Sequence, residues 1–270
     1  MTPLEPHTRP NAVGPVVLLT GAANGIGRAT ALALAARGYR LALIDRDAAP
    51  LDAVVGQARE RGAVAEGRAA DVCDDGGLKG AVAALEEAVG PTDVVVACAG
   101  VGTLSSAVDL DLEGFRRMLD VNVLGVARTI DAVLPGMFAR GAGHIVGVAS
   151  VAGYRGLPWM PGYSASKAAI ATYLEGLRPA LKRRGVRITT VFPGFVRTGM
   201  TVATPFRRPV KMLEAEQAAE YLVRAVERRP RDYTFPLSAA LGMGLIRRLP
   251  NRIFDRMMDQ AGPRALTTEF

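Results

Sequence analysis

The sequence is poor in several things, and each shortage removes a class of explanation. It has two cysteines, Cys73 and Cys98, and neither falls in a CxxC or Cys/His pattern. That excludes a cysteine zinc site or a disulfide framework, and free thiols fit a reducing, cytoplasmic setting. The two histidines, His7 and His144, stand without a neighbouring acid or nucleophile pattern, so no metal site is expected. No stretch approaches the roughly 18 uninterrupted apolar residues of a membrane span. Aromatic residues are only 6% of the chain. The basic balance, +7, therefore lacks the aromatic interleaving of a nucleic-acid surface. Lysines are scarce (Lys79, Lys167, Lys182 and Lys211), and the arginines that carry most of the positive charge are spread along the whole chain. No nucleic-acid partner is expected. Internal repeats and low-complexity linkers are also missing, which points to one domain.

What is present is a large apolar share, 49% of 270 residues, enough for a sizeable core without cross-links. Met1 to Gly14 holds three prolines and no apolar run and is expected to be a loose tail. After it, short β-rich runs alternate with helical patterns. Strands are expected at Val16–Thr20, Leu41–Asp45, Ala63–Val72, Asp93–Ala97, His144–Ser150, Val186–Phe192 and Asp232–Phe235. Helices are expected at Gly27–Arg37, Leu51–Arg61, Leu78–Val89, Leu112–Arg140, Tyr163–Arg184 and Ala215–Arg228. Such alternation builds a doubly wound parallel α/β sheet of seven strands, a Rossmann-type fold with helices on both faces, over residues 15–236. Met200–Lys211 reads as a loop after the sixth strand. Residues 237–270 read as a helical extension.

The first strand runs into Thr20-Gly21-Ala22-Ala23-Asn24-Gly25-Ile26-Gly27. Glycines permit a tight turn and close backbone approach, and the following helix offers free N–H groups to a pyrophosphate. Asp45 ends the second strand, where a carboxylate can accept both ribose hydroxyls of NAD and would repel a 2′-phosphate. Arg46, next to it, is what an NADP site would use. NAD is the expectation, with NADP the lesser one.

Ser150 ends the fifth strand, and Tyr163 and Lys167 follow four apart, on one helix face. A phenol with a reference pKa near ~10 is a poor base at neutral pH. A nearby ammonium and a cationic nicotinamide ring would favour its phenolate. Ser150 can hold the substrate oxygen.

With these pieces in order, the sequence resembles the short-chain dehydrogenases/reductases of the single-domain, roughly 250-residue type, from about Val16 to about Phe235. The resemblance rests on the glycine-rich turn, Asp71-Val72, Asn122, Ser150, Tyr163-Ser-Ala-Ser-Lys167 and Pro193-Gly194-Phe195-Val196-Arg197-Thr198. It implies reversible hydride transfer between a nicotinamide cofactor and a secondary alcohol/ketone pair, with Tyr163 as acid/base. It implies further that Asp71 and Val72 meet the adenine, that Asn122 holds a water linked to Lys167, and that Lys167 bonds the nicotinamide ribose. Pro193 and Gly194 would cover the nicotinamide, with Val196 near its carboxamide and Thr198 near the phosphates. One piece departs: the family's Asn-Asn-Ala-Gly is here Ala97-Cys98-Ala99-Gly100. Ala99 and Gly100 still let the cofactor lie against the backbone, and Cys98 beside it reads as a small buried hydrophobe. The alternatives are an NADP-dependent carbonyl reductase and, in another class, a non-catalytic dinucleotide sensor or scaffold.

Leu157, Trp159, Met160, Met200, Val202 and Phe206 lean apolar and imply a hydrophobic substrate. A homodimer or homotetramer is expected through the two long helices, with Val126, Ile130, Val133, Ala168, Ala171 and Leu174 at the contact. Leu241, Leu245, Ile246 and Leu249 recur at helical spacing, and Pro250 then opens a second helix. The extension is read as a lid or subunit contact. Peripheral membrane contact, suggested by the arginines beside the stripe, is the lesser expectation.

Overall fold

The computed structural model describes residues 14–105, 110–199 and 212–259. The N-terminal tail, Met200, Val202, Phe206 and the rest of the expected loop lie outside the described residues. Strands β1 (Val16–Thr20), β2 (Arg40–Asp45), β3 (Ala65–Ala69), β4 (Val94–Ala97), β5 (Gly143–Val148), β6 (Val186–Pro193) and β7 (Asp232–Phe235) form one sheet of seven strands in the order β3-β2-β1-β4-β5-β6-β7. Every pairing is parallel. Helices α1 (Gly25–Ala35), α2 (Ala48–Glu60), α3 (Asp75–Val89), α4 (Leu112–Leu119), α5 (Val126–Arg140), α6 (Pro161–Arg183) and α7 (Ala215–Arg228) connect them, and α8 (Leu237–Ile246) and α9 (Asn251–Asp259) follow β7.

Side-chain alternation along the strands explains the two layers. Val17 and Leu19 of β1 face Leu34 of α1, Leu51 of α2 and Leu222 of α7 in one core. Val16 and Leu18 face the other way, toward Leu78 of α3, Ile130 of α5 and Ile170 of α6. With both faces covered, β1 and β4 are buried along their whole length, which is why they read as unbroken apolar runs. β3, at the sheet edge, has only Ala65 buried and is shorter than its sequence suggested. Strand order reverses between β1 and β4, and a parallel sheet opens a crevice at such a switch point, beyond the carboxyl ends of its strands.

Two sequence expectations are corrected here. Leu112–Arg140 is not one α-helix: a π-helical segment, Asp120–Gly125, interrupts it. And Val126, Ile130, Val133 and Leu174 are at most 2% exposed inside the subunit's own core, so they are not free for a partner. By length and mean hydropathy the 112–140 segment could cross a membrane. Its apolar face, with Met118, Val121, Val126, Ile130, Val133 and Met137 buried, is instead spent on the protein interior.

Candidate active site

The crevice at the switch point is a cleft of about 360 Å³. Its walls bring together Gly21, Asn24, Gly25, Ile26 and Gly27 from the β1–α1 turn, Asp45 and Arg46 after β2, and Asp71 and Val72 after β3. Cys98, Ala99 and Gly100 follow β4, Ser150 follows β5, Tyr163 and Lys167 come from α6, and Pro193, Gly194, Val196 and Thr198 from the end of β6 onward. Residues that the sequence placed far apart thus meet in one cleft. Asn122 is the exception: it is fully buried behind the wall.

The glycine-rich turn is shaped by contact with β4. Gly21 has φ 73°, and a Cβ there would stand 2.8 Å from the Cα of Ala99, so only glycine lets the two strand ends close on each other. Asp45 fixes the turn from the other side. One of its carboxylate oxygens accepts from Ala23 N at 2.9 Å, and the other accepts from Asp47 N at 3.1 Å. Arg46 reaches toward Asp47, with Nε 3.7 Å from Oδ1, and is about half exposed. Asp71 accepts from Cys73 N at 2.9 Å, which orders the bend after β3. The chain after β6 turns back over the glycine-rich turn: a Cβ on Gly25 would lie 3.2 Å from the Thr198 methyl. It is pinned by backbone bonds Arg197 N to Leu213 O and Leu213 N to Phe195 O, at 2.8 and 2.9 Å.

The polar end of the cleft is built on α6. Gly153 follows Ser150 by one short turn, and a Cβ there would lie within 2.9 Å of the Lys167 carbonyl. The missing side chain lets the Ser150 turn press against the helix that carries Tyr163 and Lys167. Lys167 donates from Nζ to Val148 O at 2.9 Å, and Nζ stands 5.8 Å from the centre of the Tyr163 ring. Burial lowers its ammonium pKa to about 8. The Tyr163 phenol is pushed above its ordinary value, first by burial, with the nearby Ser150 hydroxyl pulling the other way. The cost of burying a phenolate outweighs the pull of Ser150, and Lys167 gives one of its ammonium hydrogens to Val148 O.

The side chain of Asn122 is held by three hydrogen bonds. Its Oδ1 accepts from Val101 N at 2.8 Å, and its Nδ2 donates to Val101 O and to Ser166 Oγ, both at 2.9 Å. Ser166 Oγ in turn donates to Tyr163 O at 2.8 Å. The π-helical segment thus ties the chain after β4 to the first turn of α6. These bonds hold the chain after β4 in place where Ala97 and Cys98 offer no side-chain amides. Ala99 N reaches Thr20 Oγ1 at 3.4 Å on the other side. Cys98 stays protonated, its pKa raised to about 11 by burial, as suits a packing residue.

Beyond the polar end of the cleft, Ala152, Leu157, Trp159, Phe254 and Met258 form a small apolar cluster, with Leu104, Met160 and Tyr163 packed against it. The extension is therefore part of the site's surroundings, through α9. A residue the sequence did not single out fastens it. Arg155 donates to Ile246 O and Leu249 O at 3.0 and 2.6 Å and to Asn251 Oδ1 at 2.7 Å, with its guanidinium carbon 3.9 Å from the centre of the Phe254 ring. Its only sequence signal is an arginine amid the apolar stretch before Tyr163. Ile44, Asp47, Val101, Val121 and Val148 are further cleft-wall residues that sequence reasoning passed over, each adjacent to or near a residue it named.

Residues 15–207 match the short chain dehydrogenase family. The chain belongs to that family. It is 40% identical over 238 residues to an uncharacterized oxidoreductase of Myxococcus xanthus, covering 88% of this chain and 94% of the relative. Among solved structures, a short-chain dehydrogenase/reductase from Burkholderia phymatum in complex with NAD superposes with a TM-score of 0.78 at 29% identity, covering 90% of this chain and 95% of that one. An alcohol dehydrogenase from the archaeon Thermococcus sibiricus, complexed with 5-hydroxy-NADP, does so with a TM-score of 0.73 at 30% identity, covering 82% and 95%. This short-chain dehydrogenase is thus an oxidoreductase of a family whose members hold NAD or NADP.

Proposed function

We propose that this protein interconverts a hydrophobic secondary alcohol and its ketone, using NAD(H). The observation that carries the reading is the convergence of Ser150, Tyr163 and Lys167 on the cleft that the glycine-rich turn also lines. That cleft fits a dinucleotide: Gly21 clears the backbone approach at the turn, and Gly100 leaves space that Lys167 Nζ borders at 3.4 Å from where a Cβ would sit. A bound oxidised nicotinamide would supply the hydride acceptor and a positive charge beside the phenol. Asp45 lines the cleft and would meet a ribose, and the turn of Arg46 toward Asp47 supports NAD over NADP.

Tyr163 moves the proton. Ser150 holds the substrate oxygen and steadies the charge that develops on it, as preorganised donors do. Lys167, with ammonium hydrogens beyond the one given to Val148 O, orients a ribose and passes protons to solvent through a water held at Asn122, whose Oδ1 borders the same Gly100 space at 3.3 Å. Trp159, Leu157 and Met160 supply an apolar wall for the substrate body.

Tyr163→Phe tests this directly. It removes one hydroxyl and keeps the ring that packs the cleft. Turnover of secondary alcohols, followed by NADH absorbance, is expected to fall by at least about a hundredfold, the scale of a lost general acid/base. Calorimetric titration of the same variant should show NADH affinity within a few-fold of wild type and tighter than NADPH. A variant keeping most of the wild-type kcat overturns the mechanism. Tighter NADPH binding shifts the cofactor assignment to NADP.

A further inference from the structure

Helix α8 has the sequence LSAALGMGLI, apolar on almost every side, yet none of its residues is buried. Leu237, Leu241 and Leu245 recur every four residues and are 72%, 68% and 65% exposed. α9 extends this surface. Phe254 and Met258 turn inward onto the cluster around Trp159. Helical spacing then puts Arg252, Ile253 and Arg256 on the opposite side, and all three are exposed. Arg247 and Arg248, between the helices, are exposed as well. Arg155 clamps both helix ends to the body, so the surface is rigidly mounted.

Large apolar side chains this exposed, flanked by charge, mark an interaction surface. The charge decides between occupants. Across the two helices and their junction the sequence carries Arg247, Arg248, Arg252 and Arg256 against Asp255 and Asp259. A second copy laid on this face would bring arginines toward arginines. An anionic surface answers them. We propose that α8 and α9 seat the protein on an anionic lipid bilayer. The leucine stripe and Ile253 enter the boundary between headgroups and acyl chains, and the arginines pair with lipid phosphates. The proposal stands apart from the reaction assigned above and holds whatever the substrate.

The test is co-sedimentation of the full-length protein with vesicles of phosphatidylcholine alone or with about 30% phosphatidylglycerol, the anionic component that should supply the attraction. Binding is expected only to the anionic vesicles and should weaken as salt rises. Leu241→Glu with Leu245→Glu should abolish it. Arg248→Gln with Arg252→Gln and Arg256→Gln should lower the partition coefficient about a hundredfold, at about fivefold for each arginine. All five positions are exposed, and circular dichroism and melting curves confirm that each variant folds. Failure of the wild-type protein to bind anionic vesicles overturns the proposal, as does undiminished binding by the double glutamate variant. If that variant loses oligomeric mass by light scattering while vesicle binding is unchanged, the surface is instead a contact between copies of this chain.

Discussion

His144 shows how far a single buried side chain can be reasoned out. Its ring Nε2 is 2.9 Å from Thr189 Oγ1, and that hydroxyl donates to Pro230 O at 2.6 Å. A hydroxyl has one hydrogen to give, so Nε2 must be the donor and the ring is neutral with Nδ1 bare. Nδ1 is buried without a partner. Protonating it would bury a charge that no acceptor meets, and burial lowers the pKa to about 3, with Arg229 and Arg187 adding repulsion. The sign follows: the folded pKa lies below the unfolded value near 6.5, so the stability tied to the neutral ring is present above that value and is lost as pH falls toward 3. Between pH ~6.5 and ~4.5 the loss is roughly 2 kcal/mol. Melting curves across that range should fall more steeply for the wild type than for His144→Asn, which has nothing to protonate; parallel curves would contradict it. In the sequence, His144 stands without a neighbouring acid or nucleophile pattern. The Nδ1 without a partner could not be read there, because it depends on which residues of β6 and the chain before β7 pack against the ring.

At the scale of elements, Arg155 is the residue to remove. It caps the carboxyl end of α8, meets the first residue of α9 and stacks on Phe254. Charge-assisted bonds to carbonyls and a cation–π contact together are worth about 2–4 kcal/mol when partly buried. Arg155→Met should therefore free both helices. Hydrogen exchange over residues 237–259 is expected to speed up by more than tenfold while the amides of β1 and β4 stay protected, and the KM for a hydrophobic substrate should rise more than kcat falls. Unchanged exchange in the two helices would remove the clamp from the account. The strands and helices themselves were legible because burial on two faces and on one face leave different periodicities, and β1, β7 and α7 were bounded to the residue. The π-helical segment was not legible. One widened turn leaves no mark on an apolar repeat, although it is what turns Asn122 inward between Val101 and Ser166. The shortened β3 has the opposite cause: an edge strand needs little apolar pattern, so its ends carried little signal.

For the whole molecule, the question is assembly. Four of the six positions first expected to meet a partner, Val126, Ile130, Val133 and Leu174, fill the subunit's own core, and sequence could not separate the two because both uses demand apolar side chains on the same helices. Large apolar residues that do reach the surface of this region are Leu112 of α4, Leu124 of the π-helical segment and Tyr173 of α6, at 69%, 47% and 43% exposure. We propose a homodimer or homotetramer through these three. Light scattering at micromolar concentration should give a multiple of 28.4 kDa. Leu124→Glu with Tyr173→Glu should return the monomer mass, since a charge on an apolar interface is costly to desolvate. A monomeric wild type would end this reading.

The sequence contains one tryptophan, and the fold has put it between the start of α6 and the inner face of α9, with its indole nitrogen buried and unbonded. Light absorbed by that ring is emitted at a wavelength set by how dry its surroundings are. Any event that lifts α9 from Leu157, or lets water reach the wall beside Tyr163, changes the colour of the whole molecule's emission. The protein thus carries an optical gauge of its own pocket, free of interference from any second indole, and needs no label to be watched at work.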